Sequence, residues 1–511
     1  MVGPNAQLAA MTADDGHVRA VGRGGAFNLA GAGVSAVFGI VLTFVVARNL
    51  DKNDTGLFFA ATSFFLIMAA IARLGTPLGL VYYVSRLRQR GENERLAAVV
   101  RIALGPVIVV SLVLGAVLAV IAPQLADLIL GGDPRAVPVL RLLAVLLPVL
   151  ALSDAVLAGT RGFGTMRPTV LLDRIGRPIV QVVLAAAVLG AGFGTVAVTG
   201  AWVLPYGITV VIAGFWLYRL IRMTGPQRPA PSGTRGEFWR FTGPRAVTSV
   251  VQLCVQRLDV VLVSTLRSPA EAATYAVASR VVTFGQLTNS AIGLAAQPRL
   301  ARLLAAGDRD GANELYRTTT AWIILLNGPL YLTVAFFSPL LLGVAGPEYE
   351  SAWPITVALC VAAFIGNGVG MVDVMLSMAG RTTWNLANGA LALVVQVGLD
   401  LLLIPRYGGF GAALGWGAAI ITANVVPLIQ LAKVDHLHPF GRGTALAAVV
   451  VTTTVAIPML VVVVVMGQTW AALAVALVVA GGIYVAVAWR LRVTLHIEAL
   501  LASLRPSARA G

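Results

Sequence analysis

The chain has 511 residues, of which 58% are hydrophobic and 12% are charged, and its formal net charge is +15. Soluble domains carry about 25% charged residues and about 45–50% apolar residues. This composition therefore excludes a soluble globular protein, and we predict an all-α integral membrane protein that has lipid as its solvent.

Fourteen apolar runs have roughly the 20 residues that a helix needs to cross a bilayer. The predicted spans are 25–47, 57–82, 97–121, 137–160, 175–191, 196–218, 243–265, 272–295, 318–343, 353–377, 384–404, 410–431, 445–466 and 470–489. The first run is too long for a signal peptide, and it follows a polar segment with Asp14 and Asp15. Cys254 and Cys360 fall inside spans, so we expect small core residues and neither a disulfide nor a metal site.

Basic residues lie mainly in alternate loops, for example at Arg86, Arg88 and Arg90 after the second span. Positive charge in such short loops marks the cytoplasmic side, so both termini are expected to be cytoplasmic. The same pattern explains the net charge without nucleic acid, for which we expect no binding.

The first twelve spans form two related halves. The segment from Arg48 between spans 1 and 2 is similar to the segment from Arg267 between spans 7 and 8, and Asp154 corresponds to Asp373. Because each half has six spans, the halves are parallel repeats, which in transporters enclose a substrate site near the bilayer midplane. We therefore predict two pseudo-symmetric six-helix lobes, two further C-terminal helices, and a transporter that works by alternating access.

These expectations divide the chain into six parts. They are a cytoplasmic N-terminal segment (1–24), an N-lobe (25–218), a cytoplasmic linker (219–241), a C-lobe (242–431), spans 13 and 14 (432–491) and a cytoplasmic tail (492–511). No P-loop signature is present, and we expect neither enzyme activity nor a cofactor. The linker is rich in Pro, Gly and Arg, which predicts an exposed segment, and its Phe238, Trp239 and Arg240 suit the membrane interface.

Four stretches then resemble the polysaccharide transporters of the multidrug/oligosaccharidyl-lipid/polysaccharide exporter superfamily. They are 275–280, 297–308, 379–388 and 400–414. The resemblance implies a flippase of a bacterial plasma membrane that moves an undecaprenyl-diphosphate-linked oligosaccharide outward. It also implies membrane lipids and a polysaccharide polymerase or glycosyltransferase as partners, and we expect a monomer.

Three alternatives remain open from the sequence. A lipid II flippase would share the fold and a basic cavity, and a cation-coupled multidrug exporter would share the fold. The first span has no acidic residue between Ala26 and Ala47, which favours an anionic substrate over a cationic drug. The third alternative is a scaffold of a polysaccharide synthase complex.

Arginines inside or beside spans are the candidates for binding a diphosphate, because a charge at the bilayer centre is costly and guanidinium matches phosphate geometry. Arg280 and Arg73 are the first candidates, and Arg48 and Arg23 could line a cavity mouth. The alternatives are an ion pair of Arg280 with Asp259, and an Arg73 side chain that extends toward the headgroups.

Carboxylates inside spans are the candidates for coupling or gating. Asp154 and Asp373 could titrate or pair across the lobes, and Asp259 is a third candidate for coupling or gating. Simple ion pairs, such as Asp154 with Arg161, are the alternative. Asp400, near the end of span 11, is expected to be interfacial.

Uncharged amides are the candidates for a glycan path, because sugars bind amides, although amides also hold helices together. The candidates are Gln252, Gln256, Asn289 and Asn367.

Overall fold

The computed structural model describes residues 28–283, 285–495 and 498. These residues form α-helices joined by short turns and contain no β-strand, which confirms the predicted all-α membrane fold. The N-terminal half contains α1 (Asn28–Asn49), α2 (Lys52–Ala72), α3 (Thr76–Gln89), α4 (Leu96–Val120), α5 (Ala122–Ile129), α6 (Ala136–Gly162), a π-helix (Thr169–Gly176), α7 (Arg177–Gly190) and α8 (Thr195–Arg222).

The second half repeats this arrangement and adds a C-terminal group. Its helices are α9 (Thr234–Leu266), α10 (Pro269–Val282), α11 (Gly285–Ala305), α12 (Arg309–Phe336), α13 (Ser338–Gly343), α14 (Trp353–Gly368), α15 (Val372–Met378), α16 (Thr382–Tyr407) and α17 (Gly409–Val434). The C-terminal group contains α18 (Arg442–Val451), a π-helix (Thr452–Ala456), α19 (Ile457–Met466) and α20 (Trp470–Arg490).

Within the described part of the chain, 12 helices are long and apolar enough to cross a membrane. Fourteen spans were predicted, and the difference lies at the fifth and eighth. The fifth predicted span begins in the π-helix Thr169–Gly176 and continues as the 14 residues of α7. The eighth is divided between α10 and α11. Both therefore contain helical segments that are interrupted and individually short.

Side-chain caps fix the equivalent turns of the two halves. Asp51 accepts a hydrogen bond from the backbone N–H of Asp54 at 2.8 Å, and Ser268 accepts one from Glu271 at 3.2 Å. A side chain that caps the first turn satisfies a donor that has no helical partner. The repeat seen in the sequence at Arg48 and Arg267 thus corresponds to two capped helix starts, those of α2 and α10.

The two halves contact each other closely at these capped turns, which we call the closed end. The Ser264 hydroxyl donates to the Ile129 carbonyl at 2.7 Å, and Lys52 donates to the Glu348 carbonyl at 2.7 Å. A Cβ atom at Gly56 would collide with the backbone of Pro269. By the distribution of basic residues, the closed end is the end predicted to lie outside the cell.

The predicted linker 219–241 is largely exposed between its ends, as expected, but its ends differ from the expectation of an interfacial segment. Helix α8 continues to Arg222 and α9 begins at Thr234, so both ends of the linker are helical. Phe238 is fully buried against the N-terminal half, and Phe241 stacks on Tyr82 with ring centroids 4.2 Å apart. Aromatic packing on α3 therefore anchors the start of α9 to the N-lobe.

Candidate functional site

A cavity of about 810 Å³ lies between the two halves. Its walls come from α1, α2, α6, α7 and α8 on one side and from α9, α10, α11, α14 and α17 on the other. Ligand sites between lobes are typical of transporters built from two repeats. The cavity is therefore the candidate substrate site.

Charged side chains give this cavity a positive balance. The charged lining residues are Arg73, Arg174, Arg177, Arg257, Arg280, Asp154, Asp173 and Asp259. Five guanidinium groups against three carboxylates leave a net formal charge of +2. A concave site with low-dielectric walls concentrates such a field and raises the local concentration of anions.

The two C-lobe arginines that line the cavity, Arg257 and Arg280, have no carboxylate within 4 Å among the described residues. Arg280 lies over the ring of Phe59, 5.7 Å from its centroid, which places it against the N-lobe wall. The expected ion pair with Asp259 is not formed, because Asp259 accepts a 2.5 Å hydrogen bond from the Tyr275 hydroxyl and one from the Val260 N–H at 2.8 Å. Arg257 was not among the predicted site residues, yet it also lines the cavity.

In the N-lobe, Arg73 forms an ion pair with Asp154. Arg73 follows the last residue of α2, and Asp154 lies on α6, so the pair joins two helices of one lobe. The alternatives in which Asp154 pairs with Arg161 or with the opposite lobe do not occur in this structure. The side chains of Arg73 and Asp154 are 19% and 40% exposed, so both remain reachable from the cavity.

The π-helix and the start of α7 supply three charges that were not predicted. Arg177 contacts Asp173 at 2.9 Å, donates to the Tyr206 hydroxyl at 3.1 Å and lies 4.7 Å from the centre of that ring. Arg174 lies beside them and lines the same cavity. These residues precede or begin the predicted fifth span. Arginines at the end of a span normally mark the cytoplasmic side of the membrane, so they were not predicted to belong to a binding site. The available clue was the Asp173 to Arg177 spacing of four residues, which suits an ion pair on a helix.

Of the four amides predicted for a glycan path, three line the cavity and one does not. Asn289 donates to Asn367 at 2.7 Å and accepts from Asn327 at 3.1 Å, forming a chain of three amides. Gln256, Asn289 and Asn367 line the cavity, whereas Gln252 is absent from its lining.

Several other predicted residues lie away from the cavity or outside the described residues. Arg48 and Asp373 are exposed and do not contribute to the lining. Arg23 lies outside the described residues. Asp400 was expected at the interface but is fully buried, and its carboxylate oxygens have no hydrogen-bond partner among the described residues. Helix α17 approaches it closely at Gly415, which explains the burial.

The sequence matches two known protein families and one characterised relative. Residues 21–304 match the family described as "Polysaccharide biosynthesis protein", and residues 244–401 match the MatE family. The stage V sporulation protein B of Bacillus subtilis (strain 168) is 24% identical over 184 residues. That match covers 36% of this chain and 33% of the relative, so the chain matches about a third of the length of that protein.

Solved structures with the same fold cover most of the chain. The lipid II flippase MurJ in an inward closed conformation has a TM-score of 0.71 at 13% identity, covering 90% of this chain and 98% of that one. An inward-facing multidrug resistance MATE family transporter of the MOP superfamily has a TM-score of 0.62 at 16% identity, covering 78% and 93%. These structures show that the fold is shared, and the two family matches confirm the superfamily indicated by the four sequence stretches.

Proposed function

Because the chain belongs to the family of polysaccharide biosynthesis proteins, we propose that it is a flippase for an undecaprenyl-diphosphate-linked oligosaccharide. It moves this lipid from the inner to the outer leaflet of a bacterial plasma membrane by alternating access and serves cell-surface polysaccharide assembly. The protein makes and breaks no covalent bond in this process, and both of its termini are cytoplasmic.

The observation that carries the proposal is the positive cavity between the lobes. Arg257 and Arg280 line it without a carboxylate within 4 Å among the described residues. Guanidinium groups bind phosphate oxygens through paired hydrogen bonds, and an unpaired cation in a membrane protein interior needs a counter-charge. An anionic headgroup that enters the cavity supplies that counter-charge.

The geometry supports a sequence of movements. The lobes meet at the closed end, so the cavity accepts the headgroup from the opposite, cytoplasmic side while the polyprenyl tail stays in the bilayer. Arg257 and Arg280 bind the diphosphate, and Arg73 joins them when it leaves Asp154. The glycan lies along Gln256, Asn289 and Asn367. Rocking of the lobes then opens the closed end, and the lipid leaves sideways.

Asp259 is the group that we propose for coupling. It faces the cavity, is 4% exposed and is held by Tyr275. Its position between the arginines and the buried core of the C-lobe allows its charge state to change the interaction between Arg257, Arg280 and the substrate. Asp154 has a gating role in this proposal, because its pairing with Arg73 competes with the substrate. Asp373, which lies off the cavity, is assigned no role at the substrate.

A depletion experiment tests the substrate. When the protein is depleted in its native cell, we expect undecaprenyl-diphosphate-linked oligosaccharide to accumulate in the inner leaflet, as measured by mass spectrometry of extracted lipids and by a leaflet-specific lectin assay. Accumulation of lipid II instead would assign the lipid II flippase function. Raised drug sensitivity without accumulation would indicate the multidrug exporter.

Reconstitution separates a transporter from a scaffold. Purified protein in liposomes is expected to move the extracted lipid-linked oligosaccharide between leaflets without any partner protein. Loss of surface polysaccharide in depleted cells would favour a scaffold if the purified protein moves no lipid under conditions in which a control flippase, in separate liposomes, is active.

A further inference from the structure

The π-helix Thr169–Gly176 is the irregular segment of the N-lobe wall. A π-helix is rare, and such segments occur frequently at functional sites. Gly176 ends it, and a Cβ atom there would lie 2.7 Å from the Leu171 carbonyl oxygen. Glycine at this position is therefore what lets the wider turn form, and the turn determines which way the preceding side chains point.

The ion pair inside this segment leaves Arg174 with little compensation. Asp173 is engaged by Arg177 at 2.9 Å, and its other carboxylate oxygen is 3.9 Å from the Arg174 Nε, too far for a hydrogen bond. The Arg174 Nε is buried and has no hydrogen-bond partner among the described residues. The side chain as a whole is 41% exposed and lines the cavity.

The stem of Arg174 is fixed by α1. A Cβ atom at Gly31 would lie 3.0 Å from the Arg174 Cβ and 2.8 Å from Val170, so α1 packs directly on this side of the π-helix. A stem held in this way keeps the guanidinium in the cavity at a lower entropic cost than a free surface arginine.

We propose that Arg174 is a substrate-binding residue that contacts the anionic diphosphate from the N-lobe side, opposite Arg257 and Arg280. Gly176 and Arg177 are positioning residues, since the first permits the π-turn and the second occupies Asp173. This inference rests on the proposed function. It adds to the site a cation that was not found by looking for charged residues inside apolar spans.

Binding of undecaprenyl diphosphate to the purified full-length protein in nanodiscs tests the proposal, with undecaprenol as the uncharged probe. Arg174→Ala is expected to weaken diphosphate binding roughly tenfold to a hundredfold, the loss typical of a hydrogen bond to a charged group. Arg174→Lys should retain part of the affinity, because ammonium keeps the charge but not the paired donors. Binding of undecaprenol should not change.

The matched control is Arg167→Ala, which removes an exposed arginine just before the same π-helix and outside the cavity lining. It should bind as the wild type does. If the wild type binds undecaprenyl diphosphate and Arg174→Ala binds it equally well, the role of Arg174 is wrong while the proposed function stands. If the wild type shows no preference for undecaprenyl diphosphate over undecaprenol, the proposed function itself fails, and the role of Arg174 fails with it.

A second pair of variants tests the π-helix. Gly176→Ala should lose diphosphate binding to the same degree as Arg174→Ala, whereas Gly190→Ala, at an open position on the same span, should not. Full binding by Gly176→Ala would contradict the positioning role of the π-turn. If the Gly176→Ala protein does not fold, the binding measurements on the Arg174 variants decide whether the proposal holds.

Discussion

Single residues in the cavity differ in whether their charge is already compensated. Arg73 and Arg177 are paired with Asp154 and Asp173, and Arg174 reaches Asp173 only at 3.9 Å, without a hydrogen bond. Arg257 and Arg280 have no carboxylate within 4 Å in the described part of the chain. Compensated arginines chiefly hold the walls of the cavity, and uncompensated ones are available to a ligand. The largest effects on substrate binding are therefore expected at the uncompensated ones.

The first prediction concerns Arg280 and Arg257. Arg280→Ala or Arg257→Ala is expected to reduce flipping of the lipid-linked oligosaccharide in liposomes roughly tenfold or more, because about 1.5–3 kcal/mol of charged hydrogen bonding is lost. Arg280→Lys should lose less. Arg406→Ala, an exposed arginine at the end of α16, serves as the control. Normal flipping by both alanine variants at equal expression would falsify their role.

The second prediction concerns the Arg73–Asp154 pair. Because the two side chains are 19% and 40% exposed, the pair lies between a surface pair and a buried one. Each single replacement, Arg73→Ala or Asp154→Asn, should therefore cost about 1–3 kcal/mol of stability. The double variant should cost less than the sum, with a coupling of about 0.5 kcal/mol. Unfolding in detergent measures this cycle. Fully additive losses would show that the pair contributes nothing.

Sequence reasoning found Arg73 and Arg280 because a charge inside an apolar run is costly and so draws attention. It did not find Arg174 or Arg177, because these residues stand at the start of a span, where basic residues are normal. Only a non-α turn places them in the cavity, and apolar periodicity does not indicate such a turn. Asp400 was misplaced for a related reason, since its burial depends on close contact with α17 at Gly415.

Helix α9 belongs to the C-lobe but contacts the N-lobe at both of its ends. Its start packs on α3 through Phe238 and Phe241, and its end donates from Ser264 to α5. The first third of α9 carries Gly243 and Pro244, and Pro244 lies inside the helix, where it removes a hydrogen bond. We therefore expect α9 to bend there when its outer end leaves the N-lobe.

The third prediction tests the anchor of α9. Phe238 is fully buried, and Phe238→Ala should cost about 3–5 kcal/mol of the local packing. Hydrogen exchange of residues 234–242 should rise, and thermal stability should fall. Phe193→Ala, at a side chain that is 61% exposed, is the control. Unchanged exchange in 234–242 would mean that this segment is not held by Phe238.

The fourth prediction concerns the contact of α2 with α10. Gly56→Ala places a methyl group against the Pro269 backbone, and overpacking of this kind costs about 1–3 kcal/mol. The closed end should therefore open more often. In a Cys254→Ser, Cys360→Ala background, Ser279→Cys in the cavity should react roughly tenfold faster with an impermeant thiol reagent added outside, which corresponds to about 1.4 kcal/mol.

Gly105→Ala, at an open position on α4, is the control for this labelling. If Gly56→Ala labels at the same rate as the control, the contact between α2 and α10 does not restrict access from that side. The sequence repeat identified these turns as equivalent, but not that they meet. Their contact depends on the relative placement of the lobes, which no local pattern encodes.

At the scale of the whole molecule, the hydropathy of the sequence was sufficient to predict an all-α membrane fold. Among the residues that the structure describes, twelve helices meet the length and hydropathy expected of a span. The two predicted spans that do not are interrupted near the cavity walls. Interruption is tolerated there because a polar cavity can satisfy backbone groups that lipid cannot. The two interrupted segments, which are the π-helix with α7 and the break between α10 and α11, thus lie at the candidate site.

The fifth prediction follows from the arrangement of the two lobes. If the lobes rock, the contact between Ile129 and Ser264, closed at 2.7 Å here, must open once in each cycle. In the background without native cysteines, Ile129→Cys with Ser264→Cys should form a disulfide on oxidation, because the Ser264 side chain contacts the Ile129 backbone directly.

The oxidised double variant should then stop flipping, while diphosphate binding from the cytoplasmic side remains and reduction restores transport. Each single cysteine variant should flip normally under oxidation, which controls for damage by the oxidant. Transport that continues with the disulfide fully formed would require a path that never opens the closed end. The substrate would then reach the outer leaflet by another route, and a rocking mechanism would be untenable.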